Sequence, residues 1–184
     1  MKKVMLIGDS IRMNYQDRAR QILQGQADIR APEESCRFAA YTLFELSNWV
    51  PDSDYDVIHW NNGQWDVCYM PDGRIHTPLP VYLDLEKRIA EILRRKAQRL
   101  VFATTTPVHA DQFETATVNA RKNEDIVAYN KAVVNELSAL GVEINDLHTP
   151  LARDVMTYIA EDKVHLAPAG VEICARLVSS TLIR

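Results

Sequence analysis

Glycine is scarce in this chain, with six in 184 residues. After Gly8 the next is Gly25, so neither a G-x-G-x-x-G fingerprint nor a P-loop can be written onto it. Cysteine is scarcer. Cys36, Cys68 and Cys174 form no C-x-x-C pair and are odd in number, which excludes a disulfide framework and a zinc cluster and suits a reducing compartment. Long apolar runs are missing too: the stretch after Lys2 and Lys3 ends at Ile7, too short for a signal-peptide core or a membrane span, so a cytoplasmic location is expected. There is no basic excess. Lys and Arg number 21 against 25 Asp and Glu, and a net charge of -4 does not suit nucleic acid as the main partner. The densest basic run, Arg94-Arg95-Lys96 with Arg99, closes a predicted helix and reads as a solvated end favoured by the helix dipole.

What the chain does contain is alternation between short apolar runs and segments of helical period. The predicted strands are Lys3 to Ile7, Ala27 to Arg30, Val57 to Trp60, Leu100 to Thr104 and Val142 to Ile144. Between them run helical stripes at Tyr15, Ala19, Ile22 and Leu23; at Leu85, Ile89, Ile92 and Leu93; and at Ile126, Val133, Leu137 and Leu140. A last helix carries Val171, Cys174, Ala175, Val178 and Leu182 on one face. This order predicts an α/β fold, a three-layer α/β/α sandwich with a central parallel sheet of about five strands. A chain of this length is expected to form one domain over residues 1–184, burying roughly 70% of its unfolded surface. Gly141 after Leu140 reads as a helix C′ residue, and Pro168 suits a first helical turn. Met70 to Pro80 and His109 to Asn123 read as surface excursions of the kind that line a ligand crevice.

The chemistry-bearing residues sit at the two ends. Gly8-Asp9-Ser10 follows the first strand, where a hydroxyl can be presented as a nucleophile, although Asp and Ser there also serve as helix caps. Asp162-Lys163-Val164-His165 precedes the last helix. Residues three apart in a turn let a carboxylate bond one imidazole nitrogen, fixing the tautomer and turning the other nitrogen toward Ser10. In a doubly wound sheet both ends converge on the carboxyl edge.

With these residues the chain resembles the SGNH hydrolases, the GDSL esterases and lipases. The match lies in Gly8-Asp9-Ser10, in Asp162-x-x-His165 and in the order of the strands. The resemblance implies Ser10 as nucleophile, His165 as base and Asp162 as its orienting partner. It also implies an oxyanion hole from the Ser10 backbone N–H and an Asn at the end of the third strand. The family's Gly-x-Asn-Asp block is replaced here by His59-Trp60-Asn61-Asn62-Gly63, where Asn61 is the expected donor and Asn62 the alternative. The family's second-block Gly has no counterpart between Ala31 and Val50, so an amide near Cys36 to Ala40 is left to fill its place.

Asp9, His59, Trp60 and Asn62 are the candidate substrate contacts. Trp60 and Trp65 flank the block and suit either a pocket wall or core packing. Asp66 suits a cap, and Thr104 to Thr106 suit either substrate contact or strand propensity. His76, His109 and His148 lack ligand-like spacing, so no metal is expected. The resemblance implies esterase, lipase, thioesterase or carbohydrate deacetylase activity with no cofactor. The absence of an amphipathic lid favours a small-molecule ester with a short acyl group, an acetyl on a carbohydrate included, over a lipid surface. The rival readings are a nucleotide- or flavin-binding domain using the helix N-terminus and a non-catalytic protein that kept the fold.

Overall fold

Alternate residues of a strand point to opposite faces of a sheet, so a strand buried on both sides must be apolar at both parities. The computed structural model describes residues 1–184 and shows this in its three inner strands. These are β1 (Lys2–Ile7), β3 (Tyr55–Trp60) and β4 (Ala97–Ala103), flanked by β2 (Ala27–Arg30) and β5 (Glu143–Asn145). All pairs are parallel, in the order β2-β1-β3-β4-β5. Met5, Ile7, Ile58, Trp60, Leu100 and Phe102 form one core with α2 (Ala39–Trp49), α3 (Leu79–Leu93) and α5 (Asn123–Ala139). Val4, Leu6, Val57, Val101 and Ala103 form the other with α1 (Ser10–Ile22) and α8 (Pro168–Leu182). Short helices α4 (Gln112–Thr115), α6 (His148–Ala152) and α7 (Val155–Tyr158) complete the chain.

Each fully buried Leu, Ile or Phe contributes about 1.5–3 kcal/mol, against at most about 1 kcal/mol for an exposed ion pair such as Arg99–Glu143. The two cores, not the surface charges, therefore hold the layers together. The predicted strands match within three residues at either end, and the helical stripes match with one correction. Ile92 is 38% exposed, because it lies just off the α3 face that Leu85, Ile89 and Leu93 bury. Gly141 adopts a φ of 76°, ending α5 as a left-handed C′ residue. All three cysteines are buried and unpaired. No helix is long and apolar enough to cross a membrane.

The strand order sets the place of the site. From β1 the chain goes outward to β2, then returns across to β3 on the other side of β1. Connections that diverge in this way open a crevice beyond the carboxyl ends of β1 and β3. Ser10 follows β1 there, and Asn61 to Gln64 follow β3.

Candidate functional site

Three loops meet at this edge, and each is tied down by groups that can be named. Asp9 caps α1, its Oδ1 accepting the Ile11 N–H at 2.9 Å, which places Ser10 at the first helical position. Amides there have no intrahelical acceptor and lie at the positive end of the helix dipole. The 159–166 loop is joined to α1 through the Leu166 N–H and Asn14 Oδ1, 3.2 Å apart, and to the β4 side through the His109 N–H and Lys163 O, 3.1 Å apart. Lys163 takes a left-handed φ of 71°, and its ammonium holds Asp111 at 2.7 Å and Thr115 Oγ1 at 2.9 Å. This turn folds the carboxylate of Asp162 back under His165.

The result is a continuous chain of hydrogen bonds. Asp162 Oδ1 accepts the backbone N–H groups of Val164 (3.0 Å) and His165 (2.9 Å), while Oδ2 lies 2.5 Å from His165 Nδ1. His165 Nε2 lies 2.8 Å from Ser10 Oγ. Burial acts against the Asp162 charge, but the two amides and the imidazole outweigh it and hold the carboxyl below its usual 3.8. An ionised Asp162 can only accept, so Nδ1 carries the proton and Nε2 presents its lone pair to the Ser10 hydroxyl.

These groups open onto a cavity of about 390 Å³ lined by Ser10, Asp162 and His165 on one side. On the other stand Gln64, Trp65, Gln112, Arg121 and the segment from Thr115 to Asn119. The excursion from His109 to Asn123 therefore lines the crevice, whereas no residue of Met70 to Pro80 does. Trp65 is the tryptophan at the wall.

The expected substrate contacts are elsewhere. Asp9 is fully buried as the α1 cap, and burial pushes its carboxyl up to about 6 against the Ile11 amide. Strand parity sends His59 into the α1/α8 layer, where Nε2 meets the Asn145 amide at 3.1 Å; burial lowers the imidazole to about 4 and keeps it neutral. Parity sends Trp60 the other way, into the α2/α3/α5 core, its Nε1–H donating to Glu86 at 2.8 Å. Asn62 donates to Thr42 Oγ1 at 2.8 Å and to Arg37 O at 3.2 Å.

Asn61, the expected oxyanion donor, gives its amide to Ala103 O at 2.8 Å and does not line the cavity. Its side chain fastens the end of β3 to the end of β4. Gly63 follows with a φ of 145°, and a Cβ there would lie 1.9 Å from Thr105 Oγ1. The backbone that follows the block is thus pressed against the threonines that follow β4. Those threonines are structural: Thr104 Oγ1 donates to Asp146, Thr105 Oγ1 to Asn62 O, and Thr106 accepts from Gln64. Asp66 caps α2 at a distance, receiving the Ala39 N–H at 3.1 Å.

Sequence reasoning missed Arg12, Gln64, Gln112 and Arg121. Arg12, 1% exposed, donates to Gly8 O, Pro32 O, Glu34 O and Gln16 and so pins the second-block loop beside the first. Arg37 in that loop adopts a φ of 52°, the left-handed geometry a Gly would take there, and Cys36 N–H is tied to Gly8 O at 3.0 Å. The only sequence signal for Arg12 was its place one turn after Gly8. No group of three or more His, Cys, Asp or Glu side chains is arranged to hold a metal ion. A second cavity of about 310 Å³, lined among others by Thr104, Lys131, Asp146 and His148, shares no residue with the first.

No protein-family model matches the chain, and neither does any curated protein. Solved structures do. The lipase/acylhydrolase from Enterococcus faecalis superposes with a TM-score of 0.81 at 16% identity, covering 100% of this chain and 96% of that one. An acetylxylan esterase from Geobacillus stearothermophilus gives 0.74 at 17% identity over 98% and 94% of the two chains. A GDSL-like lipase from Bacteroides thetaiotaomicron gives 0.73 at 14% identity over 98% and 87%. The chain has the fold of the GDSL/SGNH hydrolases, as its strand order and terminal motifs imply.

Proposed function

We propose that this protein is a serine ester hydrolase acting on a small-molecule ester with a short acyl group, through an acyl-Ser10 intermediate. The observation that carries the reading is the run Asp162 Oδ2, His165, Ser10 Oγ, with separations of 2.5 and 2.8 Å. In this reading His165 Nε2 removes the hydroxyl proton as Ser10 attacks the carbonyl carbon, then delivers it to the departing alcohol. A water deprotonated by the same nitrogen then releases the acid. Asp162 keeps the ring in the required tautomer and stabilises the imidazolium. The Ser10 N–H at the head of α1 stabilises the developing oxyanion. Losing one such donor typically raises the barrier by about 3–4 kcal/mol. A cavity of about 390 Å³ suits a substrate the size of one or two sugar residues or a short-chain ester. Acetyl esters of carbohydrates belong to that class, and one neighbour in fold is an acetylxylan esterase.

The test is labelling with a fluorophosphonate probe, with the adduct located by mass spectrometry, and hydrolysis of 4-nitrophenyl acetate by the protein and by Ser10→Ala. An adduct on Ser10 and a loss of at least about a thousandfold in kcat are expected. Equal rates for the two proteins would refute the role of Ser10.

A further inference from the structure

Two arginines are buried near Ser10, and they are used differently. Arg12 spends its guanidinium on three backbone carbonyls and Gln16, the pattern of a structural clamp. Arg121 is also buried, 6% exposed, but its side chain has only two acceptors: Nε donates to Gln64 O and Nη1 to Asn119 O, each at 2.6 Å. Both are neutral carbonyls. No carboxylate lies within ion-pair distance of Arg121. Asp9 acts on it only from farther away, and burial lowers the guanidinium below its usual value. Nη2 donates to no protein group, yet it is not sealed from the surface, and Arg121 lines the cavity that holds Ser10.

A second donor stands next to it. Gln112 is 4% exposed, and its Oε1 accepts the Arg121 backbone N–H, which turns its amide nitrogen away from that bond. Nε2 has no protein acceptor, is not sealed, and belongs to a residue lining the same cavity. A desolvated charge without a counterion is costly unless something of opposite sign completes it. Here both residues line the space that a substrate must enter.

We infer that Arg121 and Gln112 form an anion seat that determines specificity, so that the ester hydrolysed at Ser10 carries a carboxylate on its acyl or its alcohol part. A guanidinium and an amide N–H together match the two oxygens of a carboxylate. This inference rests on Ser10 being the nucleophile, and it narrows the substrate class from short-chain esters to anionic ones.

Two matched pairs of substrates test it. On the acyl side, mono-4-nitrophenyl succinate is compared with 4-nitrophenyl butyrate; on the alcohol side, 3-acetoxybenzoate with its methyl ester. After correction for intrinsic reactivity, kcat/KM should favour the anionic member of at least one pair by about tenfold to a hundredfold, the range of a charged hydrogen bond. Arg121→Gln should collapse that ratio toward one. A preference for both neutral members, or a ratio unchanged in Arg121→Gln, would overturn the inference while leaving Ser10 hydrolysis standing. Should Arg121→Gln fail to fold, inhibition of the intact protein decides: succinate should compete better than succinamide, or 3-hydroxybenzoate better than 3-hydroxybenzamide, and equal inhibition within both pairs counts against the seat. Absence of all hydrolysis and of a fluorophosphonate adduct would instead sink the esterase reading. Calorimetry with succinate and with 3-hydroxybenzoate on the intact protein then settles the seat independently, binding of either supporting it and binding of neither refuting it.

Discussion

Glu86 is fully buried on α3, facing the α2/α3/α5 core, and only one donor reaches it, the Trp60 indole N–H at 2.8 Å from Oε2. Its Oε1 has no partner. A carboxylate in such a place is under-solvated, and burial pushes the carboxyl from 4.5 up to about 8, against the opposing effect of the indole. The folded state therefore holds a proton that the unfolded state releases. Stability from this group is fully present below the unfolded value of 4.5 and is lost as pH rises toward the folded value of about 8. At roughly 1.4 kcal/mol per pH unit, the loss is on the order of 3 kcal/mol by pH 7 and has a ceiling near 5 kcal/mol above pH 8. Glu86→Gln keeps an oxygen for Trp60 and removes the titration. The assay is urea unfolding at constant ionic strength from pH 5 to pH 9, for both proteins. Asp66 and Asp9, raised by burial to about 7 and about 6, tilt both curves the same way. The difference between the curves isolates Glu86: the variant should gain on the parent by several kcal/mol between pH 5 and pH 9. Parallel curves would show that Glu86 is ionised in the folded state or hydrated there, and the burial argument would fail.

Asp162→Asn should cost about 10²–10⁴-fold in kcat, because a neutral amide no longer enforces the Nδ1–H tautomer. Its side chain is 52% exposed, so the unfolding midpoint should stay within a degree or two; an active variant, or one that loses activity only by unfolding, refutes the orienting role. Gly63→Ala must place a methyl where Thr105 Oγ1 stands and hold a φ of 145° that side chains rarely adopt. On overpacking and backbone strain together it should lose on the order of 3 kcal/mol in urea unfolding, and a neutral result would mean that the Asn61 to Gln64 turn can move.

Much of the fold was legible because its signals are local. Inner strands that are apolar at both parities announce a buried parallel sheet, and they were found where expected. The strand ends were harder to read for a physical reason. β4 begins at Ala97, not at Leu100, through Gln98 and Arg99, residues that look like loop but complete the ladder with β3 through the pairs Tyr55 with Ala97 and Val57 with Arg99. Ile92 keeps the helical spacing of its stripe, seven residues after Leu85 and three after Ile89, yet the buried face of α3 is centred on Tyr82, Glu86, Ile89 and Leu93, and Ile92 falls at its margin.

The candidate site divides along the same line. Asp162 and His165 are three residues apart, so a turn alone brings them together, and the sequence shows it. Ser10 and His165 are 155 positions apart and meet because α1 and α8 cover the same face of the sheet, with Asn14 of α1 holding the amide next to His165. The sheet order makes that meeting derivable. What sequence proximity does not convey is direction. His59, Trp60, Asn61 and Asn62 all end β3 beside the crevice, but alternation sends the first two into opposite cores, and Ala103 O and Thr42 Oγ1 claim the amides of the others. Arg121 is the opposite case. It sits in a polar, uneven stretch with no pattern to mark it, and what distinguishes it from Arg12 is the number of acceptors its guanidinium lacks, a property that exists only once the chain has folded. The residues of the Asp162, His165 and Ser10 run come as short motifs with fixed spacing, whereas those that line the rest of the crevice come from whichever loop crosses its mouth. That asymmetry is why the reaction class could be read from ten residues at one end and four at the other, while the lining of the crevice needed coordinates.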